Sequence, residues 1–459
     1  MSELPIGWIN IELKYLGEYI NGRAFKPTEW KRSGLPIIRI QNLTNTSSIY
    51  NYSDKKHEEK YLVKNGNLLV AWSASLGAYI WKGEDAWLNQ HIFKVIINDS
   101  VVKKEFLYYT IVNTIDELYK KTHGTGMVHV TKPVFESHIV NLPPLNEQKR
   151  IVGKLDKLLT QVDESKRRLE KIPIILKRFR QSVLNAAVTG ELTKDWRERN
   201  ENFISRTNYQ LIDVINEKPR NGLSIKEVKH KTNIKSLTLT ATTSGKFLSN
   251  HFKYLNIEIP KNSHLFLKKN DILIQRSNSL EYVGVSALYD GEDNEFIYPD
   301  LMMKIHPNQL VLPKYLFYHL SSLETRKYYR DNATGTAGNM PKINQKIVSN
   351  TPIEIPHIEE QKEIIKRVET LFKKADEIEE RYKKAKAYVD KLTQSILAKA
   401  FRGELVPQDS NDEPAEKLLE RIKAEKEKQI TEKGKRKQGK EKVVKEIIKK
   451  HNKALKKLS

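Results

Sequence analysis

The 459-residue sequence contains no cysteine. Disulfide frameworks, thiolate zinc sites, iron–sulfur clusters and cysteine nucleophiles are therefore excluded. No stretch approaches the roughly 18 consecutive apolar residues that a membrane-spanning helix requires. The first 30 residues also lack the basic start, apolar middle and small-residue cleavage site of a secretory signal. We therefore expect a cytoplasmic protein that has no membrane partner.

Sequence patterns for catalysis are also absent. No Gly-x-x-x-x-Gly-Lys-[Ser/Thr] P-loop occurs. The only Pro-Pro pair, Pro143-Pro144, lacks the preceding Asp or Asn and the following aromatic residue of a base-amino methyltransferase motif. Pro299-Asp300 is not followed by the acidic residue and lysine of a nuclease motif, and the histidines show no metal-binding spacing. We predict no catalytic residue, no metal site and no cofactor in this chain.

Positive charge is in excess. The chain carries 80 Lys and Arg against 57 Asp and Glu, a formal net charge of +23. Such an excess indicates a polyanionic partner, because Lys and Arg neutralise phosphates and release counterions. Residues 421–459 hold 16 basic and five acidic residues and so contribute +11 of this charge. We interpret this lysine-rich tail as a solvated arm and look for specific binding in the rest of the chain.

An internal repeat organises the chain. The segment that begins Pro143-Pro144 recurs from Pro356 at an offset of 213 residues, and the offset holds without a gap for about 50 residues. Such self-similarity indicates a tandem duplication. Each copy predicts one long helix, with a proline just upstream and Gly190 or Gly403 just downstream.

Both predicted helices carry an apolar seam with heptad-like spacing. The seam of the first copy comprises Ile151, Leu155, Leu158, Val162, Leu169, Leu176 and Val183. The seam of the second copy comprises Ile364, Val368, Leu371, Ile378, Val389, Leu392 and Ile396. A single apolar seam needs a partner helix, so we expect the two helices to pair. Pro173 is expected to kink the first helix.

A segment rich in short β-type runs and Gly, Asn, Ser and Thr turns precedes each helix. We call these segments module one, residues 1–142, and module two, residues 203–355. The helices occupy residues 143–192 and 356–405, and the tail occupies residues 406–459. The helices resemble each other more than the modules do, which indicates a shared role for the helices and different targets for the modules.

Several segments of the repeat resemble one family. The Leu-Pro-Pro-Leu-x-Glu-Gln-Lys start at Leu142, the long helix, and the Gly-Glu-Leu runs at Gly190 and Gly403 resemble the DNA specificity subunit of type I restriction-modification systems. The resemblance implies an α+β fold with two α/β target recognition domains, separated by two long antiparallel coiled-coil helices and related by a pseudo-twofold axis. It implies that each module reads one half of a split site in double-stranded DNA.

The resemblance also implies partners. Two methyltransferase subunits would dock on this chain, and restriction subunits would join through them. The S-adenosylmethionine cofactor would then lie in the methyltransferase subunit. Residues 151–186 as helix span about 54 Å, longer than one DNA turn of about 34–36 Å, so a helix pair is long enough to space two modules along a duplex.

The modules contain polar runs suited to nucleic-acid readout, because Arg, Gln and Asn distinguish base edges and Lys, Ser, Thr and backbone amides bind phosphates. The candidates in module one are Arg39, Gln41, Asn42, Ser73, Ser75, Asn89, Gln90, Gly124 and Thr125. The candidates in module two are Thr242, Thr243, Lys246, Gln275, Arg276, Ser277, Asn278, Gly335, Thr336, Asn339 and Lys342. Each is also a residue type common in turns, caps and strand edges. An alternative interpretation is a non-enzymatic coiled-coil scaffold that binds protein or RNA.

Overall fold

The computed structural model describes residues 4–45, 47–120, 129–200, 206–335, 340–421 and 424. The chain divides into unit one, residues 1–167 with 387–459, and unit two, residues 168–386. Gly124, Thr125, Thr336 and Asn339 of the predicted interface lie outside the described residues. Within the described ranges, no helix combines the length and apolar character needed to cross a membrane.

Module one contains ten short strands and three α-helices among its described residues. The strands are β1 (Ile9–Glu12), β2 (Gly17–Asn21), β3 (Leu35–Ile38), β4 (Asn51–Ser53), β5 (Leu62–Val63), β6 (Leu68–Ala71), β7 (Gly77–Ile80), β8 (Ala86–Leu88), β9 (Ile92–Ile97) and β10 (Ile139–Leu142). The helices are α1 (Ile40–Thr44), α2 (Lys104–Lys120) and α3 (Lys132–Glu136). The strands form sheets of order β2-β9-β6-β7, β4-β3-β8-β5 and β1-β10.

The first predicted long helix is divided in two. Helix α4 (Leu145–Leu169) is followed by α5 (Ile172–Val188) and then by the short α6 (Lys194–Glu198). Pro173 lies in the first turn of α5, where its missing N–H leaves no helical hydrogen bond unmade. The sequence predicted a kink at Pro173 in one long helix, whereas the structure has two separate helices that meet there. Gly190 follows α5 with φ +80°, a left-handed conformation that favours glycine and ends a helix.

Module two repeats the topology of module one. Its strands are β11 (Arg206–Gln210), β12 (Arg220–Asn221), β13 (Ile234–Leu237), β14 (Phe252–Leu255), β15 (Ile272–Gln275), β16 (Ser286–Leu288), β17 (Phe296–Ile297), β18 (Met302–Ile305) and β19 (Pro352–Pro356). Its helices are α7 (Thr240–Thr243), α8 (Pro313–Leu320), α9 (Leu323–Asp331) and α10 (Gln345–Ser349), and α11 (Ile358–Phe401) follows. The sheets run β12-β18-β15-β16, β14-β13-β17 and β11-β19, the same arrangement as in module one without the counterpart of β5.

The central strand of each module is buried on both faces. In β6, Leu68 and Val70 belong to one hydrophobic cluster and Leu69 to another. Strand β15 repeats this pattern, with Leu273 on the face opposite its two isoleucines. Because successive side chains of a strand point to opposite faces, each of these strands joins two small cores.

The helices pair antiparallel in each unit. In unit one, Ile151 near the start of α4 shares a hydrophobic cluster with Phe401 at the end of α11, and Ile396 packs against that cluster. In unit two, Val183 near the end of α5 shares a cluster with Ile364 near the start of α11. The predicted α+β fold, with two modules and two long antiparallel helices, is confirmed.

Most seam side chains are covered. The buried ones are Ile151, Leu155, Val162, Leu176, Val183, Ile364, Val368 and Val389. The half-buried ones are Leu158, Leu169, Leu371, Leu392 and Ile396. The place predicted for Ile378 is wrong, because its side chain is 47% exposed. Ile378 lies beyond the unit-two cluster, which extends along α11 to Phe372, so this cluster does not cover its side chain.

Candidate nucleic-acid interface

In module one, the ends of three strands lie side by side. This brings together residues 39–42, 72–75 and 89–91. The backbone N–H of Trp72, which follows β6, donates to the carbonyl of His91 at 3.1 Å. The N–H of Asn89, which follows β8, donates to the carbonyl of Ile38 at 3.2 Å. Three of the polar runs selected from the sequence therefore share one edge of the module.

Module two brings its candidate residues together in the same way. The segments are 240–243, 275–278 and 334–342, of which 336–339 are outside the described residues. The N–H of Ile343 donates to the carbonyl of Arg276 at 2.9 Å, and Thr334 and Lys342 exchange two backbone hydrogen bonds of 2.8 Å. In module one the corresponding contact is from the N–H of Val130 to the carbonyl of Trp72, at 2.9 Å. The backbone that leaves each central strand is thus held beside the end of a second loop.

Gln275 has a different role from the one predicted. Its side chain is fully buried, and its nitrogen donates to oxygens of Leu239, Thr242 and Thr243 at 3.0, 2.9 and 3.2 Å. Its side-chain oxygen accepts from the Asn278 amide at 2.7 Å. Thr242 is also fully buried. The predicted direct contact of Gln275 and Thr242 with DNA is contradicted, because their polar atoms are enclosed and bonded within the module.

Other candidates also support the loops from inside. Asn42 is 4% exposed; its oxygen accepts from the N–H of Arg39 at 3.1 Å and its nitrogen donates to the carbonyl of Ser48 at 3.3 Å. Ser73 and Ser277 are 2% and 1% exposed. The Asn42 side chain thus holds its turn in shape. All three side chains are buried and are not placed to contact DNA directly, which corrects the sequence-based expectation for them.

The remaining candidates reach the surface. The exposed ones are Gln41, Ser75, Gln90, Lys246, Gly335 and Lys342. The half-buried ones are Arg39, Asn89, Thr243, Arg276 and Asn278. Gln41 and Gln90 carry amides of the kind that bind adenine edges, and Lys246 and Lys342 carry charges of the kind that bind phosphates.

Contacts within the protein fix the side chains of two arginines at these edges. The guanidinium carbon of Arg39 lies 5.2 Å from the ring centre of Trp30, within cation–π range. Arg276 donates from one terminal nitrogen to the carbonyl of Asp300 at 3.3 Å. Stacking and hydrogen bonding restrict the rotamers of these long side chains, so less conformational entropy remains to be lost when a ligand binds.

Sequence reasoning missed a pair of glycines that shape both edges. A Cβ on Gly22 would lie 2.0 Å from the carbonyl oxygen of Asn89, and a Cβ on Gly222 would lie 2.0 Å from that of Tyr298. Only glycine permits such a close backbone approach. Each follows an asparagine at the end of the second strand of its module, and this Asn-Gly pair repeated 200 residues apart was the available signal.

Arg23, next to the first of these glycines, is paired with a carboxylate. Its guanidinium donates to Glu29 at 2.6 Å, and this hydrogen bond lowers the pKa of Glu29 to about 2. Arg23 therefore contributes little net charge at this edge. Among the residues that the structure describes, no group of three or more His, Asp or Glu side chains is placed to hold a metal ion.

Comparison with known proteins agrees with this architecture. The family described as "Type I restriction modification DNA specificity domain" matches residues 5–173 and 206–387, one match for each module with much of its helix. The chain is 34% identical over 445 residues to the EcoBI specificity subunit of Escherichia coli, which covers 91% of this chain and 92% of that protein. It is 30% identical over 452 residues to the StySPI specificity subunit of Salmonella potsdam, covering 92% of this chain and 96% of that protein.

Solved structures show the same fold. A chain from a type I restriction-modification system superposes with a TM-score of 0.67 at 17% identity, covering 88% of this chain and all of that chain. The HsdS subunit of Thermoanaerobacter tengcongensis gives a TM-score of 0.56 at 17% identity, covering 88% of this chain and 98% of that chain. The present chain belongs to the family of type I restriction-modification DNA specificity subunits, and the resemblance drawn from the repeat is confirmed.

Proposed function

We propose that this chain is the DNA-recognition subunit of a type I restriction-modification complex and that each module reads one half of a bipartite site. The observation that carries the proposal is a repeated frame with different loop side chains. Each module places two or three polar loops beside the end of its central strand, but Gln41 and Gln90 are exposed in module one and Lys246 and Lys342 in module two. Two modules with the same backbone arrangement but different exposed loop side chains suit two different half-sites.

The helices are proposed to serve the partners. Duplicated helices offer two related surfaces, which suits two copies of one methyltransferase subunit, and restriction subunits would join through these. We propose that the chain is not an enzyme. S-adenosylmethionine would be bound by the methyltransferase subunit, and the complex would work in the cytoplasm, where the host DNA lies.

A footprint of the assembled complex tests the proposal. The chain is mixed with its methyltransferase partner and a genomic DNA library, and the protected sites are sequenced. We expect a sequence-specific footprint with two conserved blocks separated by unread base pairs. The affinity should fall steeply with added salt, because each neutralised phosphate releases counterions.

The same assay distinguishes the alternative. A chain that binds RNA or protein but protects no preferred DNA sequence in the presence of the methyltransferase would overturn the proposal. Such a result would favour a coiled-coil scaffold.

A further inference from the structure

A buried carboxylate lies in the first turn of α4. Glu147 is 1% exposed, and one of its oxygens accepts a hydrogen bond of 3.0 Å from the indole nitrogen of Trp8. The other oxygen has no hydrogen-bond partner among the described residues. Burial raises the pKa of Glu147, which the Trp8 hydrogen bond and the Arg150 charge oppose. A buried carboxylate with a single neutral donor is costly, so this site favours a further cation.

The second copy shows how the same glutamate is compensated. Glu360 stands 213 residues after Glu147, at the start of α11, and is fully buried. One of its oxygens accepts from Arg197 at 2.6 Å and from Arg206 at 2.7 Å, and also from the Thr193 hydroxyl at 2.8 Å. Its other oxygen, like that of Glu147, lacks a partner among the described residues. The two copies therefore differ in the donors to the first oxygen: two arginines and a hydroxyl at Glu360, and one neutral indole at Glu147.

Both arginines are replaced in the first copy. Arg206 pairs with Pro356 across β11 and β19, and continuation of the β1–β10 register places Trp8 opposite Pro143, the residue equivalent to Pro356. Trp8 therefore takes the position of Arg206. Ser410 stands 213 residues after Arg197. Neither substitute carries a positive charge.

A cavity of about 460 Å³ lies beside Glu147 in unit one. Its lining includes Trp8, Pro144, Glu147, Asp409, Asp412 and Glu416. Asp412 accepts from Arg150 at 2.7 Å. Glu147, Asp409 and Glu416 have no ion pair among the described residues. Ile6, also in the lining, is 89% exposed. This cavity, called the acidic pocket below, combines a buried carboxylate, surplus negative charge and an apolar rim.

We propose that the acidic pocket binds an arginine side chain of a partner protein. The guanidinium would give Glu147 the compensation that Arg206 gives Glu360, and Asp409 and Glu416 would bind its outer edge. A charged fork of this kind matches a carboxylate geometrically. The negative pocket repels DNA, and the exposed Ile6 offers apolar contact to a protein. The choice of the methyltransferase subunit as that partner rests on the proposed function.

The chemistry is tested without a partner. N-acetyl-arginine amide should raise the unfolding temperature of the full chain, and the uncharged N-acetyl-citrulline amide should not. Glu147→Gln and the surface double variant Asp409→Asn/Glu416→Gln should lose the response. Trp8→Arg, which supplies the missing guanidinium from within, should unfold at a higher temperature and no longer respond. The matched control is Glu413→Gln, which removes a neighbouring carboxylate that pairs with Arg421 outside the pocket lining.

An equal response to citrulline amide would overturn the proposal, as would a full response in the double variant. Assembly with the methyltransferase subunit tests the partner. The double variant should raise the dissociation constant at least tenfold relative to wild type and Glu413→Gln. Unchanged assembly of the double variant would overturn the pocket's role. Failure of wild type and control alike to assemble would count against the proposed function instead.

Discussion

Gln275 illustrates how the loops of module two depend on one buried amide. It links β15 to α7 through Leu239, Thr242 and Thr243, and to its own loop through Asn278. Removing a buried partner leaves the remaining groups without hydrogen bonds, and each such group costs about 1–3 kcal/mol. The conformation of the candidate interface is thus coupled to the stability of the module.

The first prediction follows from that coupling. Gln275→Ala should lower the free energy of unfolding by about 3 kcal/mol, since it removes these hydrogen bonds and leaves a cavity. Urea denaturation measures this change. The variant should also weaken DNA binding, because the loops around residues 240–243 and 275–278 lose their support.

Gln41→Ala is the matched control for the buried glutamine. Gln41 is exposed, so its removal should change the free energy of unfolding by no more than about 0.5 kcal/mol. If Gln41 reads a base, the variant should lose about 1–3 kcal/mol of discrimination in the module-one half-site. Equal destabilisation by the two substitutions would contradict the different roles assigned to them.

His319 predicts a pH dependence for unit two. Burial lowers its pKa to about 4, and its Nε2 accepts from the N–H of Glu354 at 3.3 Å. The unfolded chain, with a histidine pKa near 6.5, binds the proton more readily than the folded chain. The stability that His319 contributes is therefore complete above pH of about 6.5 and is lost as the pH falls towards 4, a change of about 3 kcal/mol.

The test is urea denaturation of wild type and His319→Gln between pH 4 and 7. The wild-type slope should exceed that of the variant in this range, because glutamine does not titrate. Parallel curves for the two proteins would show that His319 is not the group responsible.

At the scale of elements, two seam residues of α11, Val368 and Ile378, lie in opposite environments. Val368 is fully buried in the unit-two cluster, whereas Ile378 is 47% exposed. Val368→Asp should cost several kcal/mol because it buries an unpaired charge. Ile378→Asp should cost about 1 kcal/mol or less. The measurement is the free energy of unfolding, and comparable losses would contradict the different environments of the two side chains.

The helices could be predicted from the sequence because their signals are local. Repeated Pro and Gly boundaries and a heptad-like seam lie within about 50 consecutive residues, and Pro173 marks the interruption between α4 and α5. The sheets could not be predicted, because their pairings join distant segments. Strand β1 pairs with β10, and β3 lies parallel to β8. Strands of two to six residues carry too little pattern to specify such partners.

The candidate interface was predicted in part for a similar reason. Residue type and turn context identified the loops that meet at each edge. The exposure of a side chain depends on its neighbours in space, so Gln41 and Gln275 could not be told apart from their sequence contexts. The predicted burial of Ile378 was wrong for the same reason, since a seam side chain is buried only where a facing element covers it.

At the scale of the whole molecule, the duplication separates a common frame from variable loops. Two modules with the same sheet order, apart from β5, precede α4 and α11, yet the loops that follow β6 and β15 differ. We propose that recognition resides in this chain and methyl transfer in a partner. We predict that the purified chain neither binds S-adenosylmethionine nor methylates DNA. Calorimetry and a methylation assay measure this, with the assembled complex as positive control; binding by the chain alone would contradict the division of labour.

We propose above that each module reads its own half-site. Replacing residues 203–355 with the corresponding module of a relative, and then sequencing the methylated motifs in the host genome, tests it most directly. We expect one half of the bipartite motif to change while the other half stays the same. A change in both halves would show that the modules read the site jointly and would contradict separate reading of the half-sites.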